Sequence, residues 1–183
     1  MPARTKPQAP TNSGKFLFYI IEAIAFQTII IVTILLIFMH KTSPKLRFQS
    51  LSVQNLTVNA TSPPSFFFRL NGEVTLKNSN FGKFNFPDGK IVILYRDNAV
   101  GDAFVPAGRV KAWSTEKMNV TVVAESKNDR DLYGDLNSGK ITLSSNAKLH
   151  GKIRVIKRKT TATMNCTMDV DTTTHAVQNL KCS

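Results

Sequence analysis

The chain of 183 residues, 42% hydrophobic and 20% charged, is long enough for one core of ordinary size and too short for two. That balance excludes a disordered or collagen-like protein. The net charge of +12 at pH 7 points to polyanions, whether a phospholipid surface, nucleic acid or an acidic polysaccharide, without choosing among them.

Residues 1–15 place Arg4, Lys6 and Lys15 among Pro, Ser and Thr with no hydrophobic periodicity, which predicts a disordered basic tail. Residues 16–39 are almost unbroken apolar sequence, 24 residues that as a helix reach ~36 Å against ~30 Å of hydrocarbon. A cleaved signal peptide has a shorter apolar region followed by a small-x-small site, whereas Phe38-Met39-His40-Lys41 follows here, so the run reads as an uncleaved signal anchor. Glu22 and Gln27 interrupt it, but residues 23–39 still provide 17 apolar-dominated positions, which lets Glu22 sit at the headgroup edge or stay protonated. Arg4, Lys6 and Lys15 before the span balance Lys41, Lys45 and Arg47 after it, so flanking charge gives no orientation. The short tail favours a cytosolic N-terminus.

Residues 40–45 read as a linker. From Leu46 onward the hydrophobic period is two, the signature of half-buried strands, and 46–183 reads as one β domain. The strands fall at 46–58, 66–77, 90–95, 99–105, 118–124, 141–155 with a bend at Gly151, and 161–170; such a set suggests a sandwich. Turn signals are Ser62-Pro63-Pro64, Asn71-Gly72, Pro87-Asp88-Gly89 and Ala107-Gly108. Within 126–139, Ser126, Asp129, Leu132 and Leu136 predict a short capped helix ending near Gly139.

Cys166 and Cys182 are the two cysteines, too few for a four-ligand zinc site. Alternation over 161–170 turns Cys166 toward the core with Ala162, Met164, Met168 and Val170. A Cys166–Cys182 bridge would pin a polar tail; two reduced thiols, one buried and one loose, is the other reading. Four Asn-x-Ser/Thr sequons follow the span, at Asn55, Asn59, Asn119 and Asn165, against roughly two or three expected by chance. Asn165 falls on the polar face opposite Cys166, where a glycan fits.

No catalytic constellation is visible: there is no phosphate loop, no Gly-x-Ser-x-Gly and no His-Glu-x-x-His, and His40, His150 and His175 lie in unrelated contexts. No enzyme activity and no cofactor are expected. Asp169, Asp171 and His175 form at most a solvated strand edge rather than a cation site. The basic signal is better localised. Lys140, Lys148, Lys152, Arg154, Lys157, Arg158 and Lys159 occur with no acid among them. Along the strand, Lys148, His150, Lys152 and Arg154 share one face while Leu149, Gly151, Ile153 and Val155 share the other. The bland account is an ordinary solvated face that also discourages edge pairing. The sharper one is a site for anionic surfaces built from Lys148, Lys152, Arg154, Lys157, Arg158 and Lys159. Nucleic acid is not expected as a partner, because no aromatics interleave for base stacking.

The segments PKLRFQSLSVQNLTV, NGEVTLKNSN, FNFPDGKIVILYRDNAVGDAFVP, MNVTVV and NCTMDV…KCS, behind a short tail and an anchor, resemble the plant late-embryogenesis-abundant proteins of the second, water-stress and hypersensitive-response subgroup, the harpin-induced-like branch. The family often carries Asn-Pro-Asn where this chain has Asn78-Ser79-Asn80, so proline's rigidity is missing there. The resemblance implies a seven-stranded fibronectin-like β-sandwich with one short helix, an outward-facing domain at the plasma membrane or an endomembrane, and a role in plant defence or dehydration tolerance. Two functions are compatible with it. One is a membrane-tethered module contacting anionic lipid, pectin or other membrane proteins. The other is a lipid-binding sandwich with an apolar ligand between its sheets, lined by Phe66, Phe67, Phe68, Phe81, Phe84 and Phe86.

Overall fold

The computed structural model describes residues 13–39, 42–127, 131–155 and 157–183. The chain divides into two compact units, Met1–Lys41 and Thr42–Ser183. In the first, α1 runs over Ser13–Met39, and its Gly14–Ile37 stretch is long and apolar enough to cross a membrane. Thr28 and Thr33 donate their hydroxyls to the carbonyls of Ile24 and Ile29, one turn back, at 2.7 and 2.8 Å, so the helix satisfies both groups itself. Most of the predicted tail, with His40 and Lys41 of the linker, lies outside the described residues.

The second unit is mostly β. Its long strands are β1 (Lys45–Asn59), β2 (Ser65–Asn78), β4 (Gly89–Tyr95), β5 (Asn98–Val105), β7 (Ser114–Lys127), β8 (Lys140–Ile153) and β9 (Arg158–Asp171). These are the seven strands that period-two alternation predicts. Hydrogen bonding takes them in the order β1-β2-β7-β5-β4-β8-β9 and back to β1, closing a ring. Six of the junctions are antiparallel. An odd ring cannot alternate all the way round, so one junction must be parallel; it is β1–β9, joined at the single pair Lys45↔Thr163. Closure leaves few open edges for another chain to add to.

Three strands escape the sequence pattern. They are β3 (Phe84–Phe86), β6 (Gly108–Val110) and β10 (Ala176–Cys182). β3 lies between β6 and the last residues of β8, while β10 lies on the β9 edge that β1 leaves open. The interior is filled from every wall of the ring, by Leu46, Phe68, Leu76, Ile93, Val122 and Leu143 among others, each with at most 1% of its surface exposed. Each such side chain contributes roughly 1.5–3 kcal/mol on burial.

One predicted turn and one possible bend are corrected. Asn71-Gly72 sits in the middle of β2, with Gly72 buried where a Cβ would meet Leu51 Cδ2 at 2.6 Å and the carbonyl oxygen of Ser50 at 3.3 Å. The glycine is there for close approach beneath a bulge in β1, where the register shifts between Phe48 and Ser50. Gly151 likewise produces no bend. It is buried in β8 because a Cβ would strike the Phe84 ring and come within 2.5 Å of Asn85 O as β3 crosses over. The β4–β5 turn uses Arg96 at φ 45° and Asp97 at φ 67°, the paired left-handed geometry that suits the twist of a two-residue hairpin.

The predicted helix is shorter than its sequence pattern. Ser126 belongs to β7, and α2 spans Leu132–Asn137 with Asp131 at its N-cap and Gly139 at φ 75° just past its end. Leu132 and Leu136, one turn apart, are its buried face. The buried Tyr95 donates its hydroxyl to Asp135 Oδ2 at 2.7 Å, and Arg96 forms ion pairs with Asp131 and Asp135, fixing α2 to the β4–β5 turn. Asp129 lies outside the described residues.

Candidate functional site

β8 and β9 pair along their whole length, from Lys140↔Asp171 to Ile153↔Arg158, and are joined by residues 154–157. Burial alternates strictly along β8, so Leu149, Gly151 and Ile153 are buried while Lys148, His150 and Lys152 are exposed. The face departs from the sequence expectation at its last position: the strand ends at Ile153, and Val155 turns outward with 66% of its surface exposed.

Where β3 meets β8, through Phe84↔Ile153 and Asn85↔Lys152, the surface forms an open groove of ≈ 940 Å³. Phe86, Pro87, His150, Lys152, Arg154 and Lys159 are among its walls. Three cations therefore line the same groove as Phe86 and Pro87. Asn85 also lines the groove, and its Oδ1 is the one buried side-chain oxygen without a hydrogen-bond partner among the described residues. His150 Nδ1 lies 3.0 Å from Thr161 Oγ1 across the hairpin.

Of the cations predicted to act together, Lys152, Arg154 and Lys159 share the groove, and Lys157 and Arg158 are exposed beside it. Lys148 stands further down β8, opposite Thr163 and thus in one row with Lys45 of β1. None of these six forms an ion pair among the described residues. Lys140 departs from the expectation of an uncompensated run. It lies at the other end of β8 and pairs with Asp169 Oδ2 at 2.8 Å.

With that geometry in place, likeness to known proteins becomes informative. No family model matches the chain. The chain is 31% identical over 187 residues to a late embryogenesis abundant protein of Arabidopsis thaliana, a match that covers 98% of this chain and 86% of the relative. The chain belongs to the late embryogenesis abundant family. A solved structure from Arabidopsis thaliana has a TM-score of 0.48 at 12% identity, covering 72% of this chain and 83% of that one. Another, from Archaeoglobus fulgidus, has a TM-score of 0.41 at 12% identity, covering 67% and 94%.

In this late embryogenesis abundant chain the edge formed by Asp169, Asp171 and His175 is less solvated than alternation suggests. β10 covers Asp169, leaving 9% of it exposed. Its carboxylate accepts from Lys140 Nζ, from Asn179 Nδ2 at 2.8 Å and from Thr142 Oγ1 at 2.9 Å. Asp171 instead accepts the backbone N–H groups of Thr173 and Thr174 in the turn into β10. The described residues contain no group of three side chains placed to hold a metal ion.

Burial pushes the Asp169 carboxyl up, but the hydrogen bonds from Lys140, Asn179 and Thr142 and the Lys140 charge outweigh it and hold the carboxyl below its ordinary value. A group lowered on folding stabilises the fold above its unfolded pKa and loses that contribution as the pH falls through its folded pKa. Stability of the full chain in detergent is therefore expected to be level above about pH 5 and to drop below about pH 4, with a weaker drop in Asp169→Asn. Urea midpoints measured across that range test it. Superimposable pH profiles for the two proteins would remove Asp169 as a source.

Cys166 and Cys182 are disulfide-bonded, directly opposite each other in the β9–β10 register with Cα atoms 4.1 Å apart. Asn55, Asn59, Asn119 and Asn165 are all exposed. Of the phenylalanines read as a possible apolar lining, Phe66, Phe68, Phe84 and Phe86 are buried, with Phe66 stacked on Phe68 and Phe84 on Phe86, whereas Phe67 is half-buried and Phe81 is half-exposed.

Two features of the site are absent from the sequence reading, and a third enters it only as a missing proline. The groove wall from Asn85 to Pro87 comes from a strand too short to show periodicity. Trp113 is 68% exposed at φ 53°, and the signal that marks it is that it is the chain's single tryptophan in a polar stretch. The third is the Asn78-Ser79-Asn80 segment, where side-chain bonding supplies the order that proline would give. Asn78 Nδ2 donates to Gly82 O at 2.8 Å and Lys111 O at 3.0 Å, and its Oδ1 accepts from Asn80 N at 3.1 Å. Asn80 in turn binds both backbone groups of Thr42, accepting its N–H at 2.9 Å and donating to its carbonyl at 2.7 Å.

Proposed function

We propose that this chain is a non-enzymatic single-pass membrane protein. Residues 1–15 form a cytosolic tail, 16–39 an uncleaved signal anchor, 40–45 a linker and 46–183 an extracytoplasmic β domain at the plasma membrane or an endomembrane. Within its family it belongs to the water-stress and hypersensitive-response subgroup, with the seven ring strands as the fibronectin-like set, and acts in plant defence or dehydration stress. It does so by contacting polyanions, anionic lipid or pectin, or neighbouring membrane proteins. The observation that carries the contact is the exposed cluster of unpaired cations at the β8–β9 hairpin, since like charges held together gain from a polyanion what separate ones do not. The disulfide supports the outward placement, because such bonds persist in oxidising compartments. Stacking of Phe66, Phe68, Phe84 and Phe86 within the core supports a tethered contact module over a sandwich holding an apolar ligand.

Two measurements test this on the full chain. Endoglycosidase treatment of membranes is expected to increase its mobility, through glycans on one or more of Asn55, Asn59, Asn119 and Asn165; no shift, with the N-terminal tail protected on the cytosolic side, overturns the topology. Detergent-solubilised protein is expected to bind immobilised polygalacturonate or anionic vesicles in a salt-sensitive way, and K148Q/K152Q/R154Q to lose most of that binding. Unchanged binding by the triple variant, or none by the wild type at low salt, reduces the hairpin to a solvated face.

A further inference from the structure

The strand directions sort the surface of the β unit into two ends. β1 starts at Lys45, and its parallel neighbour β9 starts at the same end, so the β8–β9 turn lies there too, with the end of β2 and the start of β7. This proximal end is the one nearest in the sequence to α1, since Lys45 follows Met39 by six positions. Three exposed apolar side chains occupy this end: Trp113 at 68%, Val155 at 66% and Phe81 at 49%.

They are held together by one loop. Asn80 binds Thr42 and also accepts Trp113 N–H at 3.3 Å, while Lys83 O accepts Arg154 N–H at 3.0 Å. Between them Gly82 packs against Val155, where an added Cβ would be 3.2 Å from Val155 Cβ. The first residue of the unit, the tryptophan and the basic hairpin thus share a single connected surface. Around it stand Lys152, Arg154, Lys157, Arg158 and Lys159 of the hairpin, with Lys83 and Lys111 on the adjoining loops, all exposed. Asp88, next to Pro87 of the groove, and Glu116, near the start of β7, are exposed acids on adjoining segments. The opposite end mixes both signs: Asp97, Asp131, Asp135 and Asp171 stand there with Arg96, Lys127 and Lys140.

We propose that this proximal end is a seat for an anionic phospholipid leaflet, with Trp113, Phe81 and Val155 at headgroup depth and the hairpin cations on the phosphates. The proposal rests on reading α1 as a membrane anchor, and it commits to lipid where the polyanion was left open above. Exposed aromatic and aliphatic tips ringed by Lys and Arg are what an interfacial surface needs: apolar area to bury, charge to draw it to the leaflet, and an amphipathic indole that prefers the headgroup layer. Pectin, a hydrated polysaccharide, would use the cations and leave the apolar tips without a role. The seat requires anionic lipid in the adjacent leaflet and no particular compartment.

Because Trp113 is the chain's sole tryptophan, its fluorescence reports on this surface without interference. The test places the full chain in nanodiscs of phosphatidylcholine, or phosphatidylcholine with phosphatidylserine, each with and without brominated acyl chains. Trp113 emission is expected to shift to the blue and be quenched by brominated lipid in the phosphatidylserine discs, and much less in phosphatidylcholine alone. Each basic residue near an anionic leaflet multiplies the seated population by up to roughly fivefold, so R154Q/K157Q/K159Q is expected to lower it on the order of a hundredfold. Raising salt from about 0.1 M to about 1 M, which shortens the screening length from ~10 Å to ~3 Å, should do the same. Val155→Asp, an exposed change that leaves every cation in place, should also reduce quenching. Emission of a water-exposed indole in phosphatidylserine discs overturns the seat, as does quenching that persists unchanged in the triple variant at high salt. If the seat fails while the solubilised chain still binds polygalacturonate, the lipid assignment falls and the broader polyanion contact stands.

Discussion

Gly101→Ala is expected to cost the β unit on the order of 3 kcal/mol or more, enough to leave it largely unfolded. β5 contains an extra residue, Val100, where the register with β4 slips from Ile93↔Gly101 to Leu94↔Ala99. That bulge carries Gly101 against β7, paired with Ala124. A Cβ at Gly101 would overlap the carbonyl oxygen of Val123 and stand 2.6 Å from Ala124 Cα. Both are backbone atoms, so no rotamer change gives relief. Only separation of the strands does, and β5 is joined to β7 by just three residue pairs on the path that closes the ring. Gly134→Ala is the control, since nothing lies within 4 Å of an added Cβ there and alanine favours α2 by up to about 1 kcal/mol. Urea midpoints of the two variants in detergent, against wild type, decide the matter. A Gly101→Ala protein that unfolds with the wild type would show that β5 and β7 can part without loss.

The seven ring strands are readable because each has one face in the core, so burial imposes period two on the residues themselves. β3 and β6, at three residues each, offer too few positions for any period to appear. β10 fails for a different reason. Its Gln178, Asn179 and Lys181 bury little, so no hydrophobic pattern announces it and its place depends on β9. Asn71-Gly72 misleads because the same dipeptide serves two needs: in a turn its value is left-handed backbone, and in β2 it is the missing side chain beneath Leu51.

The candidate site divides along the same line. Its cations are local in sequence and therefore legible, but its β3 wall is not, since Asn85 meets Lys152 only after the chain has passed through five further elements. Lys140 shows how a count of charges goes astray. Whether it is compensated depends on Asp169, and Asp169 is sequestered by Asn179 from a strand that has no sequence signal. Trp113 gains meaning only from its neighbours at the proximal end of the ring.

Loss of the Cys166–Cys182 bridge is expected to cost about 3 kcal/mol, the chain-entropy value for a closed loop of roughly 15 residues. The effect should be local first. β10 pairs with β9 at Ala176–Gln178 and again at Lys181 and Cys182, with a break between where Asn179 sits at φ 51°, and Val177 and Leu180 are only half-buried. Hydrogen bonds of such an edge, exposed and few, cannot hold it alone. In C166A/C182A, which avoids leaving a lone thiol in the core, amide exchange of β10 is expected to rise far above wild type while β8 and β9 stay protected by their own continuous pairing. Asp169 would then lose Asn179 as a partner but keep Lys140 and Thr142. Denaturant midpoints and hydrogen exchange on the full chain check both parts, and a double variant as stable as wild type with β10 still protected would show that the bridge is dispensable. The same bond bears on topology. If Cys166 and Cys182 are recovered as free thiols from membranes prepared without reductant, the outward placement of the β domain loses its chemical support, and glycan sensitivity alone must decide it.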